Sequence, residues 1–246
     1  MTLQSLPDGY RVVVFGASGG LGSAFVRALC SDERCAEVYA GSRRENHVAA
    51  DKVRSFRFDL EDEGSIDAAV NRCTQDGPLH LVIVATGVLH ADSIKPEKTW
   101  RSLTPLSFHS AFSVNTIGPA LIAKHVLGHL AKNEKAAFVA LSARVGSIAD
   151  NRRGGWHAYR ASKAALNMLI RTLAIELALV NKGALCVGLH PGTVDTDLSK
   201  PFLGGSNPLQ VFSTAQSVDR LLRVIDHLSP TQTGRLFAWD GSEIPF

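Results

Sequence analysis

No apolar run in these 246 residues approaches the roughly 18 that a membrane-spanning helix needs, so no membrane partner is expected. The opening MTLQSLPDGYRVVVF lacks a charged stretch feeding an apolar one, the pattern of a secretory leader. Four cysteines, Cys30, Cys35, Cys73 and Cys186, are too scattered for a disulfide framework, and none has CxxC or nearby-histidine spacing. No metal is expected, and the thiols fit a reducing, cytoplasmic setting. Lysine and arginine total 26 against 23 aspartates and glutamates, with no block of like charge and no basic-aromatic interleaving. Such a chain has no electrostatic footprint for nucleic acid. Repeats and low-complexity tracts are absent as well.

What the chain does have is alternation. Short apolar runs at 10–15, 37–41, 53–58, 79–85, 135–141, 184–190 and 234–239 read as seven strands. Segments of helical period at 20–30, 64–75, 107–131, 157–180 and 215–228 lie between them. This is the pattern of βα units feeding a parallel sheet covered on both faces, and 246 residues suit one α/β domain, 1–246. Gly64-Ser65 offers a start for the second helix and Asn181-Lys182-Gly183 a stop for the fourth. Residues 194–214 carry Pro201, Gly204, Gly205 and Pro208 and form no periodic element. A loop that long in a compact domain is usually functional, and this one is the expected substrate loop.

The first strand runs into VVVFGASGGLG. Gly16, Gly20 and Gly22, with Ser18, Gly19 and Leu21 between them, form a tight turn that opens a helix. Backbone N–H groups in such a turn can approach a pyrophosphate at the helix N-terminus. The second strand ends YAGSRR, with no acidic residue before Glu45. An acid there would hold ribose hydroxyls, whereas the forked donors of Arg43 and Arg44 suit a 2′-phosphate, so NADP(H) is expected over NAD(H).

GASGGLG, FDLED, VNTIG, ALSARVGSI, YRASK and HPGTVDT, in this order and at these separations, resemble the short-chain dehydrogenase/reductase family along almost the whole chain. The stretch from SARVGSI to LNML, with HPGTVDTDLSKPF, is similar to the branch of C-factor-like and sniffer-like carbonyl reductases. The resemblance implies a Rossmann fold, a doubly wound seven-stranded parallel sheet of order 3-2-1-4-5-6-7. It also implies interconversion of a carbonyl and a secondary alcohol. Tyr159 would be the general acid or base. Lys163, one helical turn on, would tune the phenol, which unaided titrates near pH 10, and hold the nicotinamide ribose. Asn115 would anchor a water in a proton relay from Lys163, and Ser142 would orient the carbonyl. Asp59 and Leu60 would hold the adenine, and Ala85, Thr86 and Gly87 would pass beneath its ribose. Pro191, Gly192, Thr193, Val194 and Thr196 would border the nicotinamide. Small carbonyl or alcohol substrates are implied, as is a homodimer or homotetramer. Relatives of the C-factor type suggest a second reading, a dinucleotide-binding protein that signals or scaffolds.

Residue by residue, some positions have plainer uses. Asn115 could satisfy backbone groups at a helix–sheet contact, Asp59 could cap a helix, and Trp156 and Phe202 could be packing. The chain also departs from the family pattern twice. VATG, Val84 to Gly87, stands where relatives have NNAG, leaving Thr86 or water to supply the missing side-chain hydrogen bonds. Ala143 occupies the position three before Gly146 where a serine is usual, with Ser142 beside it and Ser147 as a substitute. Neighbouring strand residues point to opposite faces, so a shift of one matters.

Overall fold

The computed structural model describes residues 2–43, 50–91, 94–203 and 210–246. Six strands follow the reading closely: β1 (Tyr10–Phe15), β2 (Cys35–Ser42), β3 (Val53–Arg57), β4 (Leu81–Val84), β5 (Ala136–Leu141) and β6 (Ala184–His190). Two-residue strands β7 (Thr193–Val194) and β8 (Val211–Phe212) pair only with each other, and β9 (Leu236–Ala238) and β10 (Glu243–Ile244) complete the main sheet. Its order is β10-β9-β6-β5-β4-β1-β2-β3. All pairs from β3 to β9 are parallel, so the expected seventh strand is β9. An eighth strand, β10, was not foreseen; it returns antiparallel along β9 and is too short to show any alternation.

β1 explains why its residues form a central strand. Val12 and Val14 enter a core beneath α1 (Gly20–Cys30) and α6 (Thr214–His227), while Val13 and Phe15 enter the opposite one. That second core lies beneath α2 (Glu63–Thr74), α4 (Gly118–Val126) and α5 (His157–Val180). A strand buried on both faces needs branched apolar residues throughout. Sheet order reverses between β1 and β4, which opens a crevice at the carboxyl ends of the strands.

Three local readings are corrected. The cap of α2 is Asp62, whose carboxylate accepts from the Ser65 N–H at 3.2 Å, rather than Gly64-Ser65. The continuous helix expected over 107–131 is α3 (Pro105–Phe112), a π-turn at Ser113–Ile117, and then α4. Pro119 has no N–H for the carbonyl four residues back, that of Asn115, and the wider turn accommodates the loss. The long loop is pinned by β7 and β8, whose register pairs Thr193 with Val211 and Val194 with Phe212. At the other end of α5, Asn181 is the C-cap, as its position in the sequence suggests.

Candidate active site

The glycine turn is a cradle that side chains would fill. Gly16 sits at φ +90, a conformation that disfavours side chains, and a Cβ on Gly22 would lie 2.1 Å from the Gly16 carbonyl oxygen. Gly16 and Ala17 N–H groups both donate to the Gly41 carbonyl, at 2.9 and 2.8 Å, which fixes the turn against β2. Gly19 is the N-cap of α1, with no side-chain cap and no acid in the first turn, leaving the helix N-terminus for an anion. Gly22→Ala is expected to cost about 3 kcal/mol through overpacking, a fall of roughly 6–12 °C in Tm measured by calorimetry.

From this turn a cleft of about 640 Å³ runs across the carboxyl end of the sheet. It brings together Ser18, Gly19, Gly20, Leu21, Ala85, Thr86, Gly87, Ser142, Tyr159, Lys163, and the run from Pro191 through Thr196. Thr196 folds back over the glycine turn, its methyl 2.9 Å from where a Gly20 Cβ would stand. Ser199, which sequence reasoning passed over, knits this segment: its hydroxyl meets the Val194 carbonyl and lies 3.2 Å from the Thr196 hydroxyl. Pro191 accepts from the Ser217 hydroxyl at 2.8 Å.

Arg43, Asp59, Leu60 and Asn115 do not line the cleft. Arg43 is exposed at the end of β2, and Arg44 lies outside the described residues. Asp59 follows β3 and accepts from the Glu61 N–H at 3.1 Å, so it does not cap α2. Leu60 packs over Gly118, where a Cβ would come within 2.7 Å of its methyl. Thr86 does not replace the asparagines of NNAG, since its hydroxyl oxygen is buried without a partner. Asn115 ties the segment down instead: its Oδ1 accepts from the Val88 N–H, and its Nδ2 donates to the Val88 carbonyl, both at 2.9 Å. Nδ2 also donates to the Ser162 hydroxyl at 3.0 Å, so the side-chain amide is spent on structure.

Tyr159 and Lys163 share one face of α5. The lysine Nζ stands 6.0 Å from the phenol ring centroid and donates to the Leu141 carbonyl at 2.8 Å. Burial pushes the Tyr159 phenol up to about 12 and the Lys163 ammonium down to about 8. At neutral pH the phenol therefore holds its proton and most of the lysine is charged. Lys163 reaches β5 because Gly146 lies flat on α5, where a Cβ would be 2.8 Å from the lysine Cβ.

The same helix stripe continues to Asn167, one more turn along, which the spacing 159, 163, 167 could have flagged. Ser142 donates to the Asn167 Oδ1 at 2.7 Å, and Asn167 Nδ2 donates to the Gly146 carbonyl at 3.3 Å. Ser147 is no substitute: its hydroxyl accepts from the Asp150 N–H, and it does not line the cleft. Ala143 does line it, in extended backbone. Trp156, Phe202 and His190 complete the walls; burial holds the imidazole neutral, down to about 4, and its Nδ1 has no partner. Among the described residues, no group of His, Cys, Asp and Glu could hold a metal, and no helix is long and apolar enough to cross a membrane.

Comparison with known proteins gives the family. The chain is 35% identical to the C-signal protein of Myxococcus xanthus over 181 residues, covering 72% of this chain and 98% of that one. It is 31% identical to 1-hydroxy-2-glutathionyl-2-methyl-3-butene dehydrogenase of Rhodococcus sp. strain AD45, covering 94% and 97%. The structure of NADPH-bound carbonyl reductase from chicken fatty liver superposes with a TM-score of 0.83 at 25% identity, covering 99% and 97%. The family model for short chain dehydrogenase matches residues 10–204, and the chain belongs to that family.

Proposed function

We propose that this chain is an NADP(H)-dependent oxidoreductase that reduces a small carbonyl compound, a ketone to a secondary alcohol or an aldehyde to a primary one, or runs the reverse. The whole of 1–246 would serve as one dinucleotide-binding domain with 194–214 as its substrate loop. The observation that carries the reading is the single cleft joining the glycine cradle to Tyr159 and Lys163. The cradle fits a pyrophosphate by its missing Cβ atoms and uncapped helix, and Arg43, exposed at the end of β2, would pair with a 2′-phosphate. When bound, NADPH would supply the hydride.

The chain's own residues would do the rest. Tyr159, neutral at working pH, would donate its proton to the carbonyl oxygen. Lys163 would hold the ribose and stabilise the phenolate left behind, exchanging its bond to Leu141 for these partners. Asn115 would anchor a relay water. Ser142 would orient the substrate oxygen only by releasing Asn167. Met168, Ile175 and Leu179 form an exposed apolar stripe on α5, which suits a homodimer or homotetramer. Buried thiols at Cys35, Cys73 and Cys186 suit a reducing cytoplasm.

The test is NADPH oxidation by purified protein against aldehydes, ketones and quinones; no turnover with any of them would falsify the enzymatic reading. Likeness to C-signal and the alanine at 143 favour a second reading, a dinucleotide-binding signalling or scaffold protein. Thermal stabilisation by NADP without turnover would select it. Arg43→Ala is expected to weaken NADPH binding about tenfold, the worth of one charge-assisted hydrogen bond, and to leave NADH binding unchanged. Titration with each coenzyme reads the difference.

A further inference from the structure

α5 begins in an unusual way. Gly154, Gly155 and Trp156 have φ of 63, 66 and 50, three successive residues in left-handed backbone. For the glycines this costs little. Trp156, with ψ 44, is a bulky residue in a conformation that is uncommon and unfavourable for it, and such outliers persist only where their surroundings impose them. It is also the N-cap of the helix and offers no side-chain oxygen for the helix's unpaired N–H groups.

Glu97 supplies what Trp156 lacks. It is 4% exposed and comes from the segment after β4, far away in sequence. Its backbone carbonyl accepts from the Trp156 N–H at 2.5 Å, and its carboxylate Oε2 accepts from the Ala158 N–H at 3.2 Å. The other carboxylate oxygen is buried without a partner, so the group is held here at a desolvation cost. A carboxylate at a helix N-terminus recovers part of that through the helix dipole. From the far side, the Arg160 side chain donates to the carbonyls of Gly154, Gly155 and Val145, closing the bend.

The bend decides where the indole lies. Trp156 meets Phe202 with ring centroids 5.1 Å apart and Tyr159 at 6.3 Å, and all three line the cleft. Phe202 in turn meets His90 at 5.7 Å, and His90 lies 3.1 Å from the Asp197 carbonyl oxygen in the segment after β7. Glu97 itself does not line the cleft. We propose that Glu97 is a positioning residue that holds Trp156 in its left-handed conformation and thereby builds an aromatic wall of mutually inclined rings beside Tyr159, selecting carbonyl substrates that carry a planar apolar group.

The proposal rests on the carbonyl-reducing reading, so the test has one arm that needs no turnover. In protein carrying Trp100→Phe and Trp239→Phe, Trp156 is the remaining indole. Adding Glu97→Ala should shift its emission to the red as the ring leaves Phe202, whether or not the enzyme is active. In the kinetic arm, benzaldehyde and propanal are compared with NADPH as reductant. Glu97→Ala should lower the benzaldehyde-to-propanal ratio of kcat/KM about tenfold, mainly by raising KM for benzaldehyde. Propanal KM and NADPH affinity should stay within about threefold, and Glu97→Gln, which keeps an acceptor for Ala158, should restore most of the ratio. A merely structural glutamate would reduce both substrates' rates together, and that result, or an unmoved emission maximum, overturns the proposal. If wild-type protein turns over neither aldehyde nor any ketone or quinone, the carbonyl-reducing reading fails and the emission arm still decides whether Glu97 holds the indole. Should Glu97→Ala not fold, Glu97→Asp, which withdraws the carboxylate by one methylene, is read in both arms in the same way.

Discussion

Replacing Tyr159 by phenylalanine is expected to lower kcat for NADPH-dependent carbonyl reduction by about three orders of magnitude, within the range for losing a general acid. This is about 4 kcal/mol of barrier. The ring stays, so its contact with Trp156 and the start of α5 should survive, and thermal stabilisation by NADPH should match wild type. Burial fixes the direction of this argument. A phenol pushed up to about 12 keeps its proton across the physiological range, the state needed to protonate an oxygen. For the reverse reaction the same phenol must first give that proton up, and Lys163 is the buried cation able to make that easier. Without ligand, the phenol thus carries the proton that the proposed reduction would use. Single-turnover measurements with wild type and Tyr159→Phe would check both the size of the loss and its restriction to chemistry; equal rates would remove Tyr159 from the mechanism.

Much of this candidate site is legible in the sequence, for identifiable reasons. β1 and β6 end where the reading placed them because uninterrupted apolar runs are the direct imprint of burial on two faces. Tyr159 and Lys163 fall together because one turn of helix is a local relation, and local relations survive in sequence. Harder to read were relations that depend on one missing atom or on a distant partner. The break in the helix near Asn115 turns on the absent N–H of Pro119, which periodicity of apolar residues does not register. Glu97 is 61 residues from the Ala158 N–H it binds, and nothing near it announces a cap. Thr86 was the natural heir to the NNAG hydrogen bonds, yet its oxygen has no partner, because Asn115 reaches the backbone of Val88 from another element. Trp156 carries no sign of left-handed backbone, since its strain is imposed from outside its own segment.

The second large effect is a gain. Ala143→Ser is expected to raise kcat for carbonyl reduction by ten- to a hundredfold, the scale on which one well-placed oxyanion donor acts. Ala143 lines the cleft with Tyr159 and is followed directly by the turn that Gly146 seats on α5. A hydroxyl there would add a donor at a wall that presents only a methyl group. Ser142 is placed differently. The residue is 4% exposed, and its hydroxyl donates to Asn167, whose amide is itself anchored on the Gly146 carbonyl. To serve a substrate it must break a 2.7 Å bond and leave a buried amide oxygen unpaired, a cost of about 1–3 kcal/mol that offsets most of what the new bond contributes. Ser142→Ala should therefore lose no more than about tenfold, well short of the loss from a fully engaged donor. Asn167 decides between the two serines. In Asn167→Leu the Ser142 hydroxyl loses its acceptor and becomes available to the substrate, so the advantage gained from Ala143→Ser should shrink in that background. Rates measured for the two single variants and the double variant form a cycle whose coupling gives the answer. Strict additivity would mean that Asn167 has no hold on the donor, and that Ser142 already serves the carbonyl unaided.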